Sequence, residues 1–412
     1  MKKILIVCPY PYGKAPSQRF RFEQYLDSEG GNFIQASFWK EDEWPRIYQK
    51  GSIQFKVFST IKGFGRRLRL LFQVRQFDKV FVHREATPIG PPWFEWAVTK
   101  LFRKPLIFDF DDAIWLPNSS KANEKLAGKL KFHGKTAKIC SWATTVVAGN
   151  DFLADYARRY CNDVRIIPTT IDTEHHHNPD LYEKIGAKWF KKSARIETSA
   201  ANEDPKSYQD KPPPPTAIVK PLEASDQQPV ADSRQPTANT NLPVIGWTGT
   251  QSTLKQLTPL FPTLEKIHKK HPFRFLLIAD IPPANMPDFV EFRKWKKETE
   301  IEDLLEMDIG VMPLYHTDWE RGKCGFKALQ YQALGIPAVV SAVGVNTEVV
   351  KDGETGFICE PLPFKEGGEW KHNLSKLLES KELRLSMGGR ARLHILQHYS
   401  VLSQKSAFAD LG

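Results

Sequence analysis

Cysteine is the first scarcity: five in 412 residues, at Cys8, Cys140, Cys161, Cys324 and Cys359. The number is odd, the positions are scattered, and no pair has metal-ligand spacing. That argues against a disulfide scaffold and for reduced thiols in a cytoplasmic protein. Long apolar runs are missing as well, since none approaches the ~20 residues of a transmembrane helix. The start, Met-Lys-Lys, resembles a signal peptide. Its apolar run is only Ile4 to Cys8 with no small-residue cleavage site, so it reads as a first buried strand. Acidic residues are outnumbered, 48 against 58 basic, and the net charge of +10 calls for nucleic acid, anionic lipid or a phosphorylated substrate as partner. No recognisable nucleic-acid motif accompanies that charge, and no nucleic-acid partner is expected.

What is present suits an α/β chain of two domains, because 412 residues exceed one ordinary core. Lys3 to Cys8, Lys79 to His83, Pro105 to Asp111, Thr144 to Ala148 and Val164 to Pro168 read as short strands. Helical patterns near Ser17, Ala122–Ala137 and Asp151–Tyr160 alternate with them, which predicts a mainly parallel sheet. Lys14, Arg19 and Arg21 follow the first strand and face either a phosphate at its carboxyl end or water. His83 ends a strand. Asp109, Asp111 and Asp112 end the next, where acid-x-acid spacing fits a metal or a carboxylate that positions a substrate hydroxyl. His175, His176 and His177 are adjacent, so at most two reach one ion; a solvated loop end is the favoured reading.

Phe58 to Phe77 is basic and aromatic-rich. Leu68, Leu71, Phe72 and Arg75 have helical spacing, with Arg66, Arg67 and Arg69 beside them. Such a segment can lie on an anionic membrane surface. The favoured alternative packs the apolar stripe on a sheet, and Gly63 and Gly65 argue against one long helix. From about Thr198 to Asn241 the chain is rich in Pro, Ser, Asp, Gln and Lys without apolar periodicity, so a disordered insertion is expected. The organisation is a first domain over 1–175, a linker over 176–242, a second domain over 243–395 and a C-terminal helix or tail over 396–412.

The second domain opens with Pro243-Val-Ile-Gly-Trp-Thr-Gly-Thr250, a strand and glycine turn that repeat the N-terminal logic. Its centre is Arg321-Gly-Lys-Cys-Gly-Phe-Lys-Ala-Leu-Gln, running on to Ser341. A basic glycine loop feeds a helix with Phe326, Leu329 and Ala333 on one face. Gly335 and Pro337 end that helix, and Ile336 to Val340 form a short buried strand. Unpaired N–H groups, the positive end of the helix and the charges of Arg321 and Lys323 converge there, which is the physics of an anion site. Val343-Gly-Val-Asn346 and Asp352-Gly-Glu-Thr-Gly-Phe-Ile-Cys359, the latter hairpin-like, come next.

This motif order resembles the donor-binding half of nucleotide-sugar glycosyltransferases of the GT-B type, most closely family 4, or group 1. The carriers are the glycine loop into a helix, Ala333-Leu-Gly-Ile-Pro-Ala-Val-Val-Ser341 and Val343 to Phe357. Ile166-Ile-Pro-Thr-Thr-Ile-Asp-Thr173 looks like the end of that family's first domain. The resemblance implies an α/β fold with two Rossmann-like doubly wound domains facing across a cleft, and no cofactor beyond the nucleotide-sugar substrate. Departures are as informative. The family's two glutamates, eight positions apart, fall on Gly322 and Gln330. Asp318 or Glu320 stands near the first, and the Gln330 amide can still meet ribose hydroxyls. The family's phosphate-binding Arg falls on Trp247 and its Lys on Lys255. A family histidine falls on Asp111.

The implied reaction moves a sugar from a nucleoside diphosphate to an acceptor hydroxyl with retention, in surface polysaccharide or glycolipid synthesis. Cations and preorganised N–H dipoles would stabilise the departing diphosphate. Asp111 and Lys323 are the catalytic candidates. Gly249, Thr250, Lys255, Gly322, Cys324, Gly325, Phe326, Gln330, Gly344 and Asn346 are the donor-binding ones. Arg19, Arg21, His83 and Asp112 stand on the diphosphate and acceptor side, and no metal is called for. The expected partners are a nucleoside-diphosphate sugar, a glycan or lipid-linked acceptor and an anionic membrane surface, which makes the protein cytoplasmic and peripheral at the inner membrane face. The competing reading is a non-catalytic relative that binds nucleotide sugar or glycan as a scaffold.

Overall fold

The short β-branched runs build two sheets in a computed structural model that describes residues 2–29, 33–47, 51, 53–117, 132–182, 242–364 and 368–412. The insertion expected over 198–241 and most of the helix expected at 122–137 lie outside these residues. The first sheet contains β1 (Ile4–Cys8), β2 (Phe33–Ser37), β3 (Lys79–His83), β4 (Leu106–Phe110), β5 (Thr145–Ala148) and β6 (Val164–Ile166), in the order β2-β1-β3-β4-β5-β6. The second contains β7 (Val244–Thr248), β8 (Arg274–Ala279), β9 (Val290–Lys294), β10 (Ile309–Met312), β11 (Ala338–Ser341) and β12 (Gly356–Cys359), in the order β12-β11-β10-β7-β8-β9. The pairings are parallel throughout, including β11 with β12, so the segment read as hairpin-like is a turn leading into a parallel edge strand. Parallel strands need crossovers, and the inner ones bury both faces, which is why β1, β4 and β11 are almost wholly apolar while the edge strands β6 and β9 carry Arg165, Glu291, Arg293 and Lys294. In the first sheet Leu5, Val80 and Phe108 point into one core, and Ile6, Phe81 and Ile107 into another.

Six helices shape the domain junction and the flanks of the first domain: α1 (Ile53–Gln73), α2 (Asp151–Arg158), α3 (Glu300–Leu305), α4 (Phe326–Ala333), α5 (Lys381–His398) and α6 (Val401–Ala409). Helix α1 is continuous over 21 residues despite its glycines. Gly63 is required there, because a Cβ would lie 2.4 Å from the Phe38 ring. The stripe expected to pack on the sheet does so only at Leu71, while Leu68 and Phe72 face water. The region expected to be a C-terminal helix or tail contains the helix α6 and returns to the first domain. Ile171 and Ser400 form a parallel bridge, Phe408 stacks on Tyr25 at 4.4 Å, and Lys79 Nζ donates to the Leu411 carbonyl at 2.8 Å. The expected division at 395 falls inside α5. Doubly wound sheets place ligands at the carboxyl ends of their strands. Here those ends face each other across the domain junction.

Candidate functional site

The loop after β10 is the junction's centre. Thr317 caps the short helix Asp318–Arg321, and Glu320 turns inward to accept a hydrogen bond from Gln256 Nε2 at 3.1 Å. Trp319 packs against the first domain's core, and the Arg321 guanidinium lies 4.5 Å from the Phe152 ring centroid. Asn150, at the N-terminus of α2, donates from Nδ2 to the carbonyls of Gly322 at 3.3 Å and Lys323 at 3.1 Å. Gly322 has no room for a side chain: a Cβ would sit 2.7 Å from the Ala113 Cβ and 2.9 Å from its nitrogen. The loop of one domain is therefore held on the Asp111-Asp112-Ala113 turn of the other.

Gly325 starts α4 with φ of +67°, a left-handed conformation that favours glycine, and no side chain caps the helix. Uncapped first-turn N–H groups and the helix dipole favour an anion. Gly344, at φ +52°, makes room for the Arg321 carbonyl, which would be 2.7 Å from a Cβ. Asn346 Nδ2 donates to the Ser341 carbonyl at 3.2 Å, fixing the turn beneath Gly325. Gly344 and Asn346 thus support the loop from behind. Gly249 and Thr250 have their N–H groups engaged, with the Ile278 carbonyl and Thr253 Oγ1 respectively, both at 3.0 Å. Gly249 instead gives space to the Trp247 ring, which would approach a Cβ to 2.3 Å.

Cations gather over that floor. Lys327 Nζ stands 5.3 Å from the Trp247 ring centroid. Burial, then the charge of Lys323, pushes the Lys327 ammonium down to about 7, and no described carboxylate offsets this. Burial also lowers Lys323, opposed by Glu320 and Asp112 and reinforced by Lys255. Lys255 is exposed at the rim.

The first domain answers with paired charges. Arg84 Nε lies 2.7 Å from Asp111, and its terminal nitrogen reaches Asp112 at 2.5 Å. Burial drives the Asp112 carboxyl up to about 6, with Arg84 opposing and Asp111 assisting. Burial works to raise Asp111 too, but Arg84 and His83 outweigh it and hold it below the usual carboxylate range. Behind these lies a second set. Arg21 bonds Asp109 and the Ile167 carbonyl, while His83 Nδ1 lies 2.6 Å from the other Asp109 oxygen. Arg21, His83 and Asp109 are all buried. His83 Nε2 is buried without a hydrogen-bond partner.

A third locus lies along α4. The Gln330 amide donates to Glu300 Oε1 at 3.2 Å and faces His177 Nε2 at 3.3 Å. Glu300 Oε2 is buried without a hydrogen-bond partner, with Arg19 at 3.7 Å. Phe20 packs on Phe326 with ring centroids 4.5 Å apart. A cavity of about 220 Å³ opens beside Arg19, Phe20, His176 and Lys297. His177 is fully buried, contrary to the solvated loop end favoured for it. Burial, then His176, Arg19 and Arg392, hold its imidazole well below the usual histidine range. Among the described residues no group of three or more His, Cys, Asp or Glu is arranged to hold a metal ion.

Of the sequence-derived candidates, Asp111, Asp112, Gly322, Lys323 and Cys324 meet at the junction, where burial and then Asp111 and Asp112 push the Cys324 thiol up to about 11. Arg19 and Gln330 share the Glu300 locus, while Arg21 and His83 lie behind the strand ends. Arg84, Asn150, Glu300 and Lys327 belong to the site without having been singled out. Lys327 had a readable signal, since it comes four positions after Lys323, across the glycine that starts α4. Glu300 had none.

Both sheets, their facing strand ends and the loop between them define the GT-B glycosyltransferase fold. Anabaena HepE in complex with UDP and glucose aligns over 100% of this chain and 99% of its own, with a TM-score of 0.61 and 14% identity. Sucrose-phosphate synthase from Thermosynechococcus elongatus aligns over 100% and 98%, with a TM-score of 0.65 and 13% identity. Residues 236–394, which contain the second domain, match the family described as Glycosyl transferases group 1. The D-inositol 3-phosphate glycosyltransferase of Arthrobacter sp. (strain FB24) is 29% identical over 118 residues, a segment spanning 29% of this chain and only 24% of that relative.

Proposed function

We propose that this protein is a retaining glycosyltransferase that moves a sugar from a nucleoside diphosphate to the hydroxyl of a glycan or lipid-linked acceptor, in cell-surface polysaccharide or glycolipid synthesis. The observation that carries the reading is the uncapped start of α4 ringed by Lys255, Lys323 and Lys327, directly opposite Asp111 and Asp112. The UDP-bound neighbour of the same fold supports a uridine nucleotide as the first donor to try.

In this reading the diphosphate lies on the first-turn N–H groups of α4. Lys323 and Lys327 neutralise the charge that grows on it as the glycosidic bond breaks. Transition-state charge is met by fixed dipoles and cations, so a carboxylate pair at 322 and 330 is dispensable. The ribose lies along α4, where the Glu300 oxygen that makes no hydrogen bond accepts a hydroxyl and Gln330 holds the carboxylate in place. The base enters the cavity beside Lys297. Asp111, kept ionised by Arg84, orients hydroxyls of the transferred sugar or acceptor. The departing phosphate serves as the base, consistent with retention.

The test is a thermal-shift screen of nucleoside diphosphates and their sugars, then transfer assays with those that bind, since a ligand of the native state stabilises it by mass action. Stabilisation by at least one nucleotide sugar, with turnover, is expected. Binding without transfer or hydrolysis across acceptors would leave the scaffold reading. Absence of all nucleotide binding would overturn both.

A further inference from the structure

Helix α1 is built inside out. Its protein-facing side is Ser59, Gly63, Arg67 and Leu71, with Phe64 and Leu70 half-buried against the domain, whereas Ile53 is 77% exposed, Val57 52%, Phe58 56%, Ile61 62%, Leu68 55% and Phe72 77%. A surface helix in water normally shows the reverse arrangement, with its apolar stripe on the core. The helix is nevertheless firmly mounted. Arg67 donates to the carbonyls of Ala86 at 2.7 Å, Ala36 at 3.0 Å and Cys8 at 2.7 Å, and Arg66 is tied to Glu43. Across its 21 residues there are five Lys and Arg and no Asp or Glu. Lys62 and Arg69 are exposed at one border of the apolar arc, and Arg75 is exposed just past the helix. Lys62 covers the Phe58 ring at 4.4 Å. The neighbouring helical segments, Trp93–Trp96 and Ala97–Leu101, expose Trp96 at 48% and Leu101 at 64%, with exposed Lys100 and Arg103 alongside.

We propose that this face of the first domain lies in the plane of a bilayer rich in anionic lipids. The apolar arc reaches the acyl boundary and the lysines and arginines meet headgroup phosphates, with α1 presenting a rigid rod ~32 Å long at 1.5 Å per residue. An apolar face bordered by basic residues with an aromatic anchor is the pattern of an interfacial helix. No helix among the described residues is long and apolar enough to cross a membrane, so the contact is in-plane. A second copy fits the face poorly. A two-fold contact sets the same patch against itself, and this helix brings no acid to neutralise its own cations. A bilayer supplies apolar depth and negative charge together.

The experiment is co-sedimentation of the full chain with vesicles of phosphatidylglycerol and phosphatidylcholine, against pure phosphatidylcholine, with Ile61→Glu/Phe72→Glu as the variant. Both side chains point to water, so the variant's thermal unfolding should match the parent's. Binding is expected only to the anionic vesicles, at least 10-fold weaker in the variant and at least 10-fold weaker in 0.5 M salt. Three results would overturn the proposal: no binding by the parent at low salt, equal binding by parent and variant, or a parent dimer in light scattering that the variant dissolves while vesicles go unbound.

Discussion

The two sheets end at the same junction in opposite electrostatic states. At the first domain's edge the charges described are matched: Arg21 with Asp109, Arg84 with Asp111 and Asp112, all largely buried. At the second domain's edge the balance is cationic, with Lys327 held over an indole ring and Lys323 3.9 Å from its nearest carboxylate, Glu320. Paired buried charges fix geometry, because removing either partner strands the other in a poorly solvating place. Cations held this loosely are, in the proposed function, the ones that meet an anion arriving with the ligand. In that reading one edge is scaffold and the other receptor.

The most severe way to break this contrast is on the scaffold side. Arg21→Ala leaves Asp109 buried with only His83 beside it and should cost about 3–5 kcal/mol of stability. A fall in the denaturation midpoint is the readout, and an unchanged midpoint would show that the pairing is inert. On the receptor side, Lys323→Ala with Lys327→Ala should weaken UDP binding about 100-fold, or ~2.7 kcal/mol. Calorimetry should find the fold intact; undiminished affinity would remove the diphosphate from this end of α4. Glu300→Gln should cost about 10-fold, ~1.4 kcal/mol, toward UDP yet nothing toward its 2′,3′-dideoxy analogue. Equal losses for both would refute the ribose contact.

The gentlest probe is protonic. The Lys327 ammonium is lowered to about 7 in the folded protein against 10.5 as its ordinary value. Between those values the unfolded chain holds the extra proton, so Lys327 makes stability rise with pH from about 7 to about 10.5. A bound diphosphate favours the charged amine and pulls the proton back. Near pH 8, UDP binding should therefore take up protons, seen as a binding heat that varies with buffer ionisation enthalpy. Lys327→Met should abolish that dependence.

Much of the fold was legible because strands buried on both faces must be almost uniformly apolar. Ile4 to Cys8 and Ala338 to Ser341 announce themselves this way. The anion loop was legible because glycine spacing and basic residues are local. Periodicity cannot say which of two helix faces is inside, and α1 shows why. Arg67 finds three carbonyl acceptors and Gly63 admits the Phe38 ring, so the polar face wins the interior. Glu300 stayed hidden because its meaning comes from Gln330, thirty positions away, through packing of α3 beside α4. His177 looked solvated among three histidines, yet Gln330 faces its ring and Arg392 bonds its carbonyl.

The return of α6 to the first domain also sets an order of events during synthesis. Ile4, Ile6, Phe81 and Ile107 share a core with Phe408 and Leu411, residues from opposite ends of the chain. A ribosome releases β1 long before α6, so that apolar underside stays uncovered until residues 401–411 emerge. The second domain, contiguous from Val244 to α5, has its strands in hand earlier. The first domain begins first and is completed last.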